Sequence, residues 1–169
     1  MRRVYLLRHA KSSWKDRSLA DRDRPLAGRG KRAAKAVAGH IEAEGIRPDL
    51  VLCSPARRTR ETLERVEAAF GEQVEVRFEE ALYAASEAEL LASLRALPAE
   101  VKSVMIIGHN PGIEELALGL ASEGAKRARM KKKYPTAALA TIDLPADAWR
   151  TIERASGELI AYVRPRDLD

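Results

Sequence analysis

Three polar clusters in this chain follow short apolar runs. Arg8-His9 stands behind Val4-Tyr5-Leu6-Leu7, Ser54-Pro55-Ala56-Arg57-Arg58 behind Leu50-Val51-Leu52-Cys53, and Gly108-His109-Asn110-Pro111 behind Val104-Met105-Ile106-Ile107. Imidazole can accept a phosphoryl group, and guanidinium groups clamp phosphoryl oxygens bidentately. Two histidines and two or more arginines converging on one point would therefore make a phosphoryl-transfer site that needs neither metal nor cofactor. By itself His9, flanked by Arg8 and Lys11, reads first as a solvated loop residue, so the other two clusters carry the weight. Surrounding cations disfavour imidazolium, so His9 in such a cluster is expected to stay neutral and nucleophilic.

The elements needed to bring the clusters together are legible. Each apolar run is too short for a helix and too continuous for an exposed edge, so each reads as a strand buried on both faces. Helical spacing follows over Gly28–Glu44, stopped by Gly45. It follows again after Ser54-Pro55, taken as an N-cap with proline at the first helical position, with Leu63, Val66 and Phe70 on one face. A strand is expected over Gln73–Phe78, a helix over Ser86–Leu97, and a helix after Pro111 carrying Ile113, Leu116 and Leu120. Two more strands are expected at Ala137–Leu144 and Glu158–Val163, around a turn at Asp147-Ala148-Trp149, with Lys131-Lys132-Lys133 as a basic loop.

Such alternation predicts an α/β fold, a three-layer αβα sandwich with a mostly parallel central sheet, as one domain over residues 1–169. In a parallel sheet the three clusters share the carboxyl edge, where open α/β sheets bind ligands. The charged stretch from Lys11 to Leu26 is long for a loop and reads as a binding loop. His40, on the first helix and away from any such cluster, reads as a partly exposed helix residue.

Composition narrows the partners. The chain has 169 residues, 46% hydrophobic and 33% charged, which suffices for a core without staples. No run approaches a membrane span or a signal-peptide core, so no membrane partner is expected and a cytoplasmic location is the default. The single Cys53 excludes an internal disulfide and any cysteine-built zinc site. Of the net charge of +5, residues 1–66 carry 17 Lys/Arg against 8 Asp/Glu, so the N-terminal half favours an anionic partner. Aromatics at 5% and the lack of any nucleic-acid motif argue against nucleic acid. Nothing fixes the oligomeric state, and a monomer is compatible with the sequence.

With these residues in view, the chain resembles the histidine phosphatase superfamily, the phosphoglycerate mutase-like enzymes, whose mark is an Arg-His pair closing the first strand. More narrowly, Arg8-His9-Ala10-Lys11-Ser12-Ser13-Trp14, Arg24-Pro25-Leu26, Arg29-Gly30, Ser54-Pro55-Ala56-Arg57-Arg58, Leu82-Tyr83, Gly108-His109-Asn110-Pro111-Gly112 and Pro135-Thr136-Ala137-Ala138 are similar to the SixA-type phosphohistidine phosphatases. The resemblance spans essentially the whole chain. It implies that His9 attacks phosphorus while Arg8, Arg58 and His109 bind the phosphoryl oxygens. It also implies substrate contacts from Lys11, Ser12, Arg57 and Asn110, and a phosphorylated protein domain or a small phosphoester as partner. For a proton donor it offers Glu80, or Glu79 beside it, just before Ala81-Leu82-Tyr83, although Glu80 reads equally well as an exposed loop carboxylate and the site could lack a donor. The absence of a sizeable insertion between the motifs implies an open pocket, suited to a protein-borne phosphohistidine.

Two rivals differ in kind. A phosphatase or mutase for a small phosphate monoester would use the same His9 and differ only in its leaving group. A non-catalytic basic module binding an acidic protein or nucleic acid would leave His9 dispensable. A cysteine phosphatase fails on spacing, because the arginine position of Cys-x5-Arg is Thr59, and Gly28-x-Gly30 lacks the lysine of a phosphate-binding P-loop.

Overall fold

Alternation along each buried strand decides which side chain faces which helical layer. In the computed structural model, which describes residues 1–168, the strands are β1 (Arg2–Arg8), β2 (Leu50–Cys53), β3 (Glu75–Phe78), β4 (Ser103–Gly108), β5 (Leu139–Leu144) and β6 (Glu158–Val163). They form one sheet in the order β3-β2-β4-β1-β5-β6. The first four strands of that order are parallel, and β5 and β6 add antiparallel pairs beside β1. Val4 and Leu6 of β1, Leu50 and Leu52 of β2, and Val104 and Ile106 of β4 enter one core. Tyr5 and Leu7, Val51 and Cys53, and Met105 and Ile107 enter the other. Both faces are thus covered, as the unbroken apolar runs require.

Helices α1 (Gly28–Glu44) and α2 (Arg57–Val66) cover the second face. Helices α3 (Glu87–Arg95), α4 (Gly112–Leu120) and α5 (Ala125–Lys132) cover the first. The three-layer α/β expectation therefore holds. Gly45 stops α1 in the left-handed region, with φ 64°. Ser86 caps α3 through a reciprocal capping box with Glu89.

Three expectations need correction. Ser54-Pro55 does not cap α2, which begins at Arg57 behind Ala56; the Ser54 hydroxyl accepts the Ala56 N–H at 3.3 Å ahead of the helix and also faces His109, as described below. Strand β3 is shorter than expected, starting at Glu75. Lys131 and Lys132 are not loop residues but the last turn of α5. That helix buries only Met130 and is held by cations donating to carbonyl oxygens, Lys126 to Ile160, Arg127 to Leu118 and Arg129 to Tyr162, so it has no apolar stripe to announce it. Among the described residues no helix is long and apolar enough to cross a membrane.

Candidate active site

Parallel pairing of β1, β4 and β2 brings their carboxyl ends to one edge, with Arg8 level with Gly108 and Cys53 level with Ile107. The segments that follow continue the register: the His9 N–H donates to the Gly108 carbonyl at 3.0 Å and the Ser54 N–H to the Ile107 carbonyl at 3.1 Å. His9, Arg58 and His109, from three separate clusters, are each only 8% exposed. The two imidazoles lie 5.3 Å apart, centre to centre.

The protons of both rings can be placed. His9 Nδ1 lies 2.7 Å from the Ala10 carbonyl oxygen, which can only accept, so Nδ1 carries the hydrogen and Nε2 keeps the lone pair. The Ala10 N–H is itself anchored, donating to Thr62 Oγ1 at 3.0 Å, and that hydroxyl donates to the Arg58 carbonyl at 2.7 Å. Helix α2 thus positions both Arg58 and the turn that orients His9. His109 Nδ1 faces Arg58 Nη2 at 3.3 Å, and a guanidinium can only donate. His109 Nε2 therefore holds the hydrogen and gives it to Ser54 Oγ at 2.7 Å.

Electrostatics keep both rings neutral. Burial, with smaller contributions from His109, Arg58 and Arg8, pushes His9 down to about 3. Burial and Arg58 push His109 down to about 4, against the opposing charge of Asp21. The neutral His9 expected from its cationic neighbours is present, but lost hydration is the larger cause. Arg8 Nη1 donates to the Tyr134 carbonyl at 2.9 Å, while its Nε is buried without a partner among the described residues.

The structure also supplies residues that sequence reasoning missed. Asp21, inside the Lys11–Leu26 loop, accepts from Arg58 on its backbone oxygen (2.8 Å) and on Oδ2 (3.1 Å), from Arg24 on Oδ1 (3.0 Å), and from the Tyr83 hydroxyl. Those donors, Tyr83 foremost, hold its carboxyl down at about 2. The Tyr83 ring meets His109 edge-on at 5.4 Å. Asp21, which binds both Arg58 and the Tyr83 hydroxyl, and Tyr83, which meets His109, therefore belong to the same cluster. Tyr83 lay within a quoted motif, but a single aspartate in an irregular loop gives no pattern to find.

The expected substrate and acid residues fare differently. Ser12 is buried and its hydroxyl accepts from Arg24, tying the loop together. Arg57 pairs with Glu61 at 2.9 Å, and Glu61 also accepts the Leu26 N–H. Asn110 accepts the Glu114 N–H and donates to the Glu114 carboxylate and to the Tyr134 carbonyl that Arg8 also engages. Lys11 is exposed and unpaired among the described residues. Glu80 makes no hydrogen bond to the histidines among the described residues: its carboxylate is exposed and paired with Arg22, which holds it below the usual carboxylate range. No group of three metal-ligating side chains occurs among the described residues.

Residues 4–87 match the profile described as the histidine phosphatase superfamily (branch 1). An uncharacterized protein of Mycobacterium leprae is 36% identical over 166 residues, covering 95% of this chain and all of the relative. A solved structure from Agrobacterium tumefaciens, assigned as phosphohistidine phosphatase SixA, is 33% identical with a TM-score of 0.81, covering 97% of this chain and 98% of its own. One from Nakamurella multipartitia with the same assignment is 29% identical with a TM-score of 0.83, covering 97% and 96%.

Proposed function

The chain belongs to the histidine phosphatase superfamily, branch 1, and from that premise we propose that it is a phosphatase working through a phosphorylated His9, with phosphohistidine on a protein as its substrate. The observation that carries this reading is the pinned tautomer of His9: with Nδ1–H committed to the Ala10 carbonyl, the Nε2 lone pair is free on a ring that burial keeps neutral.

In the first step His9 Nε2 forms a bond to phosphorus as the bond to the leaving group breaks, with the electron pair departing on that group. An incoming phosphoryl oxygen takes over Arg58 donors that now point to Asp21 and His109, and it supplies an acceptor for the orphaned Nε of Arg8. Two guanidinium charges there offset the negative charge on the equatorial oxygens. Water then attacks phospho-His9, releasing inorganic phosphate and restoring the imidazole.

Substrate class follows from the leaving group. Imidazole departs far more readily than an alkoxide, so the reaction needs less from a general acid. That suits a site whose expected donor, Glu80, is ionised and engaged by Arg22. The two solved relatives assigned as phosphohistidine phosphatases support the same class. The test compares kcat/KM on a phosphohistidine-bearing protein domain with that on sugar phosphates. The protein substrate is expected to be preferred, and equal or better turnover of a small phosphoester would move the assignment to the monoester class.

A further inference from the structure

The catalytic cluster occupies the β2-β4-β1 part of the carboxyl edge, and a second feature occupies the β1-β5-β6 part. There a cavity of about 280 Å³ opens between the start of α1, the residues preceding β5 and the turn after β6. Five cations line it: Lys11, Arg29, Lys133, Arg164 and Arg166. Arg164 is neutralised by Asp167, to which it donates at 2.9 and 3.1 Å. Among the described residues none of the other four makes an ion pair, and no carboxylate lines the cavity. Four unpaired positive charges held together repel one another, and an anion from outside would relieve that repulsion.

Two of its walls are linked to the nucleophile through the backbone. Lys11 is two residues beyond His9, and its carbonyl is fixed by the Ala27 N–H at 2.9 Å. Gly30 packs so closely that a Cβ there would lie 2.1 Å from the same carbonyl oxygen. On the opposite wall Pro135 and Thr136 lead into Ala137, whose N–H donates to the carbonyls of Arg8 and His9 at 3.0 Å. The cavity and the histidine site are thus tied together through the backbone on one edge of the sheet.

Building on the phosphohistidine reading, we propose that this cavity is a docking groove for an acidic segment of the phosphoprotein, carrying carboxylates around a small apolar side chain. Carboxylates complement Lys11, Arg29, Lys133 and Arg166, while Ala33, Pro135 and Pro165 give the groove apolar surface that an isolated anion would not need. No aromatic side chain lines it to stack a base, which sets nucleic acid aside.

The probe is a fluorescent, unphosphorylated decapeptide of Glu and Leu, titrated into the full chain and into an Arg29→Glu/Arg166→Glu variant, with anisotropy read at low and high salt. Wild type should bind in a salt-sensitive way, and the variant should bind at least about tenfold more weakly. Arg29→Gln/Arg166→Gln should weaken binding in the same direction and serves if the reversal impairs folding. Failure of the peptide to bind wild type, equal binding by folded variants, or displacement of the peptide by a single-stranded oligonucleotide that binds more tightly would overturn the groove. Turnover separates this from the catalytic reading. The variant should lose kcat/KM on a phosphohistidine protein, through KM, yet keep its rate on a small phosphoramidate. Peptide binding without any phosphohistidine hydrolysis would retain the groove and discard the substrate class.

Discussion

Thr62→Val removes a single hydroxyl and tests whether α2 sets the orientation of His9. Thr62 is 1% exposed, and its Oγ1 is the acceptor for the buried Ala10 N–H at 3.0 Å. Valine keeps the branched shape but leaves that N–H without a partner, a loss of about 1–3 kcal/mol. The Arg58 carbonyl keeps a helical partner, so only one group is orphaned. For a chain of this size a loss of about 2 kcal/mol lowers Tm by about 4–8 °C. The effect on turnover follows from the chain itself, because the peptide units on either side of Ala10 Cα hold the anchoring N–H and the carbonyl that binds His9 Nδ1. Since a misplacement of about 1 Å in a reacting group costs on the order of 100-fold, partial loosening should lower kcat by roughly 10- to 100-fold with little change in KM. Thr62→Ser, which restores the hydroxyl, should recover most of it. Thermal melts and steady-state kinetics on a chromogenic phosphoester read both quantities. An unchanged Tm with full kcat, or a serine variant as impaired as valine, would refute the linkage.

Other consequences follow from the same geometry. His9 and His109 titrate at about 3 and about 4. The kcat/KM profile should therefore stay level down to about pH 5, without an acid limb near the ordinary histidine value of about 6.5; a limb there would contradict the burial argument. Because their folded values are depressed, unfolding takes up protons below about pH 6.5, so stability should fall with pH by up to about 1.4 kcal/mol per unit for each histidine. Urea midpoints at several pH values, with a shallower slope expected for His109→Gln, check this, and an equal slope would count against it. Gly30→Ala forces a Cβ to within 2.1 Å of the Lys11 carbonyl and should cost about 2–3 kcal/mol; a wild-type denaturation midpoint would show that the packing yields freely. Glu80→Gln should alter phosphohistidine turnover by less than about threefold, whereas a loss on the order of 100-fold would mark Glu80 as a general acid.

The sheet was readable because its chemistry is repetitive. Three apolar runs, each ended by a polar cluster, are enough to infer parallel strands and one functional edge, and that edge gathers Arg8, His9, Arg58 and His109. What escaped the sequence has no period. Asp21 engages Arg58 from an irregular loop, and Thr62 acts through one buried hydroxyl on a helix whose register reads only as a packing face. Helix α5 is held by cation-to-carbonyl bonds instead of an apolar stripe. Ser54 looked like a helix cap because Ser-Pro so often is one, yet its hydroxyl serves His109. Glu80 had the right residue type and position along the chain, but its pairing with Arg22 depends on where the long loop folds.

The central claim is that His9 Nε2 becomes covalently phosphorylated. Rapid mixing of the protein with a radiolabelled phosphohistidine substrate, followed by an alkaline quench and peptide mapping, reads it directly. Label should appear transiently, acid-labile and base-stable, on the peptide containing His9, and a folded His9→Ala variant should show neither label nor turnover. Label on another residue, or wild-type turnover by His9→Ala, would contradict the account.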